Sequence, residues 1–514
     1  MPPRWMDGWP PLGYVVENRR LGVVQREAAV SGQVPGWRPR LRRAVRPLTA
    51  LGVERALLAD GTWYEGENYH QFALRGLWYC VTMLEAAGAS LRPDLRDRFQ
   101  RAFAAPFVTA LPDFTMPARK DSQYAVSLRQ WRIAELTELG FARRQDAALG
   151  GGLARMYQET GERRDTGRAR STADVERNSP STRLTRADLG WRALLHALPE
   201  LPEVKPLRPR SALLESQGYA VFRRDRDVYV GFEFGQSGGG HGHPDRLNVT
   251  LYQGENRWLD DYGTGSYVDP SLHWFRSTLA HNAPMVNGVS QPLRDGRLLA
   301  WDEREGLGWI VAEFDIPQLD VRLERALVVA PDYLISELRW TARTPVRVDL
   351  PWHFDARPPG ITLEPTAHDA EPAPWARIHG LGRWGGAQPS PMVSATRQDT
   401  QMHLLLAGES RDEILVGEAP GQPFNRCHRV FIHRAHGSDG CVRAVMSWNA
   451  TSCAWRPDHP LAIEVGGERH IHRRDEKGWH VELHAGGAHS SVDLTGFRRT
   501  SPAVIPSSPP QRTP

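Results

Sequence analysis

The sequence predicts a multidomain α+β protein, with a helical half followed by a half built from antiparallel strands. Three observations carry this. The chain has 514 residues, more than one ordinary hydrophobic core organises. The period of its apolar residues changes from about 3.6 over the first ~200 residues to about two from position 211 onward. A proline-rich stretch between the two regimes, PEVKPLRPR (202–210), reads as a linker. The expected organisation is a helical domain over 1–200, a β-domain over 211–500 and a tail over 501–514.

In the first domain, helical spacing recurs in ENYHQFALRGLWYCVTMLEAAG (67–88), LRDRFQRAFAAPFV (95–108) and YAVSLRQWRIAELTELGFA (124–142). Gly- and Pro-bearing turns separate these stretches. That pattern predicts helical hairpins in an α/α array, which buries its core by stacking neighbours. Residues 160–186 are polar and charged without a period, so a surface loop is expected. RADLGWRALLHAL (186–198) reads as a last helix. In the second domain, YAVFRRDRDVYVGFEFG (219–235), RLNVTLYQG (246–254), VRLERALVVAPDYLISELRW (321–340) and VRAVMSWNA (442–450) alternate or are β-branched, with turn residues between them. They predict an antiparallel β-sandwich or a stack of sheets. The Pro/Ser-rich tail is expected to be disordered.

Composition narrows the function classes. A formal charge of +4 is too small and too dispersed for a nucleic-acid partner. No run of about 20 apolar residues is present, so no membrane helix is expected. Cys80, Cys427, Cys441 and Cys453 form neither a disulfide framework nor a CxxC zinc pair. The N-terminus lacks the apolar core of a signal peptide, so the chain as written is expected in the cytoplasm. A truncated start would make it periplasmic or secreted.

Chemistry concentrates between 238 and 291. GGGHGHPDRLNVTLY (238–252) places His241, His243 and Asp245 at the lip of a strand. WLDDYGTGSYVDP (258–270) and FRSTLAHNAPMVNGVSQ (275–291) follow. Zinc takes His and carboxylate ligands, and His243, Asp261 and His281 could supply three from neighbouring segments. On extended backbone His241 shares a face with His243, so one can ligate while the other faces a cleft. HxHxD alone also suits a hydrogen-bonded turn. The HxHxDH run of metallo-β-lactamase-like hydrolases needs a second His where this chain has Arg246.

Taken together, HGHPDRLNVTLYQGENRWLDDYGTGSY and RSTLAHNAPMVNG resemble the heparinase II/III family of polysaccharide lyases, which has heparinase-like and alginate-lyase-like branches. DGTWYEGENYHQFAL (60–74) is similar to that family's DG-x-x-x-E-x-x-x-Y-H segment. The resemblance implies an α/α toroid, incomplete in this chain, followed by an antiparallel β-sandwich domain. It implies catalytic roles for Tyr69 and His241 and, more loosely, for Tyr267. It implies one structural zinc on His243, Asp261 and His281. Glu65 and His70, from the same segment as Tyr69, are expected to face the substrate. Family members carry an Asn-His pair upstream to neutralise the uronate carboxylate. Here no His precedes His70, so Arg119 and Arg129 are the expected substitutes, because a guanidinium forks onto a carboxylate.

The implied reaction is β-elimination on a uronate-containing acidic polysaccharide. It needs carboxylate neutralisation, a base for the C5 proton and an acid for the leaving oxygen. A tyrosine suits either proton role if positive charge lowers its pKa. Two alternatives stand: a carbohydrate-binding member without turnover, and a zinc-dependent hydrolase with Asp245 or Asp260 as general base. The glycan, exo or endo action and the oligomeric state are not specified by the sequence.

Overall fold

The computed structural model describes residues 37–158 and 184–495, apart from 207–208, 226, 305, 359–360, 367–372, 386–390, 398–399, 410, 449, 455–460 and 487. Most of the expected 160–186 loop and the whole 501–514 tail lie outside the described residues. The chain is α+β, helices first and antiparallel sheets after. No described helix is long and apolar enough to cross a membrane.

Among the described residues the first half has six α-helices: α1 (Trp37–Thr49), α2 (Glu67–Ala86), α3 (Pro93–Thr109), α4 (Trp131–Arg143), α5 (Ala147–Tyr157) and α6 (Trp191–His196). Pro93 opens α3, where its missing N–H costs nothing. Leu74, Leu77, Trp78 and Val81 of α2 pack with Phe99 and Phe103 of α3 and with Leu136 and Leu139 of α4. These are the i, i+3, i+4 and i+7 positions that gave the helical period.

Two helical expectations are corrected. The helix expected from 124 begins only at Trp131. Residues 110–130 form a connection in which Phe114, Lys120 and Ala125 take positive φ, which no helix permits. Val126 and Leu128 are buried as the periodicity required, but from a loop. The last helix is shorter than expected: a 3₁₀ turn at Arg186–Asp188 precedes Gly190, and only then does α6 start.

Among the described residues the second half has three antiparallel sheets. The first holds β1 (Ala212–Leu214), β2 (Tyr219–Arg224), β3 (Val228–Glu233), β4 (Asn248–Gln253) and β5 (Asn256–Leu259) in sequence order. The second is built around the long strands Tyr333–Trp352 and Cys427–Ser447, and the third runs from Ala450 to Leu494. Strand β3 shows why both faces of the first sheet are apolar. Val228, Val230 and Phe232 join the core shared with the second sheet. Tyr229, on the opposite face, packs with Tyr219, Val221, Tyr252 and Leu111 of the helical half.

That second contact positions the site. Arg223 donates to the carbonyls of Val108 and Ala110, at 2.9 and 2.8 Å. Arg257 pairs with Asp113 at 2.8 Å. The 110–122 segment is thereby pinned to the outer face of the first sheet, beside the His241 loop.

Candidate active site

The loop before β4 folds as a 3₁₀ turn over Gly239–His241. Gly238 and Gly239 take φ of 90° and 61°. A Cβ on Gly242 would lie 1.7 Å from the Ser237 carbonyl oxygen, so the residue between the two histidines must be glycine. The turn lays the His241 carbonyl against the backbone N–H of Asp121, at 3.0 Å. This ties the β-half to the 110–130 connection at the site itself.

Asp121 is the hub. Its side chain is fully buried, and Oδ2 accepts from His241 Nδ1 (2.9 Å) while Oδ1 accepts from His243 Nε2 (3.0 Å). Tyr267 Oη and Thr264 Oγ1 donate to it at 2.9 and 3.1 Å. Arg276 grips both oxygens, through Nε at 3.0 Å and through a close second contact. Burial alone would raise the carboxyl's pKa. Hydrogen bonds from His241, His243 and Arg276 outweigh it and hold the group well below the usual carboxylate range. Asp121 is therefore an ionised, acceptor-only group. Because the carboxylate only accepts, His241 donates from Nδ1, and its Nε2 shows no partner among the described residues.

Tyr69, from the first turn of α2, meets His241 from the other half: the ring centroids are 3.9 Å apart and the planes nearly parallel. The two rings touch rather than face each other across a gap. Tyr69 Oη is 2.9 Å from Tyr267 Oη, and Tyr267 Oη is 3.3 Å from His241 Nδ1. Burial raises the pKa of Tyr69, and Asp121 adds to the rise against the hydrogen bond with Tyr267 and the charge of Arg276. Burial also raises Tyr267, reinforced by its bonds to Tyr69 and Asp121. Both phenols are donors at neutral pH. The expectation of a lowered tyrosine pKa is thus corrected: the charge that acts most on Tyr69 is the carboxylate of Asp121.

His243 and His281 lie behind this surface, fully buried, with ring centroids 5.3 Å apart. The ligand atoms that cluster within 4.8 Å of one another belong to His243, Asp245 and His281. Asp261 adjoins them through His281, its Oδ2 lying 3.1 Å from Nδ1 of that ring. It is aimed there by the Asn248 side chain (2.8 Å) and the Gly263 N–H (3.0 Å). Asp245 thus enters the cluster that the sequence assigned to Asp261. His243 Nδ1 and Asp245 Oδ2 are buried without a hydrogen-bond partner among the described residues. Each such orphan costs about 1–3 kcal/mol. A cation between them would satisfy both, and the His/carboxylate donor set suits zinc.

Other expected site residues do different work. Arg119 is buried: Nε and a terminal nitrogen bond Glu67 Oε1 (2.9 and 2.6 Å), and the other terminal nitrogen bonds Glu233 closely. Its guanidinium stacks 3.8 Å from the Tyr219 ring centroid. It is a joint between the halves, with no free edge for a substrate. Arg129 donates to the Arg155 carbonyl at 3.2 Å and lies against Phe114. His70 is buried, accepting from Trp63 N–H at 3.1 Å and donating to the Ala102 carbonyl at 2.8 Å. Burial pushes its pKa down to about 4, so it is a neutral structural imidazole. Glu65 is partly exposed and accepts from Trp63 Nε1 at 2.8 Å. Asp245 and Asp260 are buried and committed to Arg246 and to Tyr252, so neither presents a general base to the surface.

Asp121 and Arg276 were missed as functional residues. Both stand in quoted segments, ARKDSQ and FRSTLAHN, but isolated charges in loops give no periodic signal. Arg276, about a third exposed, is the site's surface cation and lies over Tyr267.

Residues 206–448 match the family described as Heparinase II/III-like, C-terminal. No curated protein matches the chain. Among solved structures it is similar to heparan sulfate lyase HepC from Pedobacter heparinus, with 13% identity, a TM-score of 0.63 and 94% of this chain covered. It is also similar to heparinase III, with 12% identity, a TM-score of 0.61 and 95% of this chain covered. The chain spans 66% of the length of the first and 68% of the second. At these identities the likeness is one of fold.

Proposed function

We propose that the protein is a polysaccharide lyase that cuts an acidic, uronate-containing glycan by β-elimination. One observation carries this: Tyr69 of the helical half and His241 and Tyr267 of the β-half converge beside one ionised carboxylate, Asp121. The heparinase II/III-like C-terminal match and the lyase fold support it. The same reading takes the six helices as part of an α/α toroid and the stacked sheets as its β-sandwich partner.

Arg276 meets the substrate carboxylate, the role expected of Arg119 or Arg129, and draws charge from it so that C5–H becomes more acidic. His241 Nε2 takes the C5 proton. The electron pair forms the C4–C5 double bond and the C4–O bond breaks. The departing oxygen takes the Tyr69 proton, and no water is consumed. Products are a 4,5-unsaturated uronate and a new chain end. The imidazolium and phenolate left behind are bridged by Tyr267, which offers a return path for the proton.

A zinc ion held by His243, His281 and the Asp245 or Asp261 carboxylate would supply structural cross-linking of these loops. The lining that fixes His241 does so through Asp121, which also bonds His243.

The test is incubation of the full chain with heparan sulfate, alginate and hyaluronan, read by the ultraviolet absorbance of unsaturated uronates. Tyr69→Phe keeps the ring stacked on His241 and removes the acid, so the rate should fall by about 10²–10⁴. A full rate in that variant refutes the assignment. Cleavage products without the absorbance, lost on chelation, would indicate the hydrolase reading instead.

A further inference from the structure

Helix α2 carries Tyr69 and continues beyond the site. Phe72 lies one turn on and is 49% exposed. Arg75 follows, its guanidinium 6.0 Å from the Phe72 ring centroid. A Cβ placed on Gly76 would meet nothing within 4 Å, so this face of α2 is bare. Residues three apart on a helix are neighbours on its surface and rise about 4.5 Å, so the bare face starts beside Tyr69.

The surface extends onto two more helix starts. Trp131 at the head of α4 is 40% exposed, and Arg132 lies 5.2 Å from its ring centroid. Trp191 at the head of α6 is 50% exposed, and Arg192 lies 5.2 Å from it and 4.9 Å from the Tyr79 ring. The three arginines are close enough to act on one another. Burial, then the charges of Arg192 and Arg132, lower the pKa of Arg75. The carboxylate that acts on them, Glu135, is already paired with Arg192 at 3.0 Å. Arg75 and Arg132 show no carboxylate partner among the described residues, so the patch carries an excess of positive charge.

We propose that Phe72, Arg75, Trp131, Arg132, Trp191 and Arg192 form a subsite for the continuation of an acidic glycan, whose scissile bond lies at Tyr69 and His241. This rests on the lyase reading for its location. Two features favour a glycan over a second copy of the chain. Exposed aromatic faces suit the apolar faces of sugar rings. Guanidinium forks suit carboxylate or sulfate, and here the cations sit beside the aromatic rings, giving both contacts along one line.

The test uses full-length Arg75→Ala/Arg132→Ala and Trp131→Ala. Binding is read on a Tyr69→Phe background by retardation in gels containing heparan sulfate or alginate. On the catalytically intact background, KM is read for the polymer and for the shortest oligosaccharide cut. The double arginine variant should weaken polymer retention by about a hundredfold, about tenfold for each guanidinium–anion contact, and Trp131→Ala by about fivefold. KM for the polymer should rise more than KM for the short substrate. Unchanged retention and unchanged polymer KM overturn the subsite. So does a shift in sedimentation with retention intact, which would make the patch a subunit interface. If no glycan is cut yet retention drops in the variants, the subsite stands and the lyase reading falls.

Discussion

Replacing Asp121 by Asn is the sharpest test of the site, because it keeps the shape and removes the charge. Asp121 accepts from five side chains: His241, His243, Thr264, Tyr267 and Arg276. An amide keeps one acceptor and turns the other into a donor. If the amide nitrogen takes the Oδ2 position, it faces His241 Nδ1 at 2.9 Å. The imidazole then gains by moving its proton to Nε2, the atom that must be bare to act as base. Hydrogen bonds to charged partners are worth about 1.5–3 kcal/mol, against about 0.5–1.5 for neutral ones. Breaking a buried charged pair on one side costs about 3–5 kcal/mol. Typical stabilities of about 5–15 kcal/mol would leave the variant folded but measurably weaker. Loss of an oriented base lowers rates by about 10²–10⁴. We therefore expect kcat to fall by that factor, with a lower melting temperature and retained circular dichroism. Initial rates of unsaturated-uronate release, beside thermal melts, measure both. A folded Asn variant within about fivefold of the wild-type rate would refute the hub.

Further outcomes follow from the same geometry. The chain purified without chelator should carry about one zinc, and His243→Ala should lose it; metal analysis finding none in the parent protein counts against the cluster. Loss of the ion should lower the melting temperature before it affects chemistry through His241, so a chelated protein that melts unchanged would show that no ion braces these loops. His70 stays neutral in the fold to about pH 4 but protonates near 6.5 when unfolded. Between those values the unfolded chain binds more protons, so stability should rise with pH through that window and His70 should cost the fold stability below it. The contribution is on the order of 3 kcal/mol. Urea midpoints from pH 4 to 7 should climb less steeply in His70→Gln than in the parent; parallel profiles would show that His70 is not the group titrating.

The periodicities carried the architecture because burial on one face leaves a repeating mark. The 67–88 and 95–108 patterns became α2 and α3, and the switch at 211 became the first sheet. The expected 124–142 helix failed at its start because Val126 and Leu128 are buried from a loop with positive φ at Ala125. A loop packed into a helical core can mimic helical spacing. At the site, residues bound to a motif were legible: Tyr69, His241 and Tyr267 come together. Arg119 was misjudged because a sequence does not show that Glu67, 52 positions away, and Glu233, 114 away, close on it. Asp121 was missed for the same reason. Its five partners come from residues 241–276, and none is a neighbour in sequence.

The joint between the halves bears on how substrate reaches the site. Glu67 and Glu233 enclose Arg119, and Arg257 bonds Asp113 and Thr115. Asp121 joins His241, His243 and Arg276 a few residues further on. These links are mostly buried, with His241 and Arg276 each about a third exposed, and all anchor one segment, 113–121, to the β-half. Opening the halves along this line would expose several charged pairs whose separation leaves uncompensated buried charge, at about 3–5 kcal/mol for each pair broken. A wide hinge here is therefore costly. Tyr69 and His241 already touch, so a sugar ring cannot enter between them without moving one. The substrate is then approached from the open side, where Tyr267 is 54% exposed and α2 is bare beyond Tyr69. On that side lie the groups proposed as base, acid and cation: His241 stacked on Tyr69, and Arg276 over the Tyr267 ring. A rigid joint with reactive groups on its rim explains why so much buried charge was gathered within reach of one imidazole.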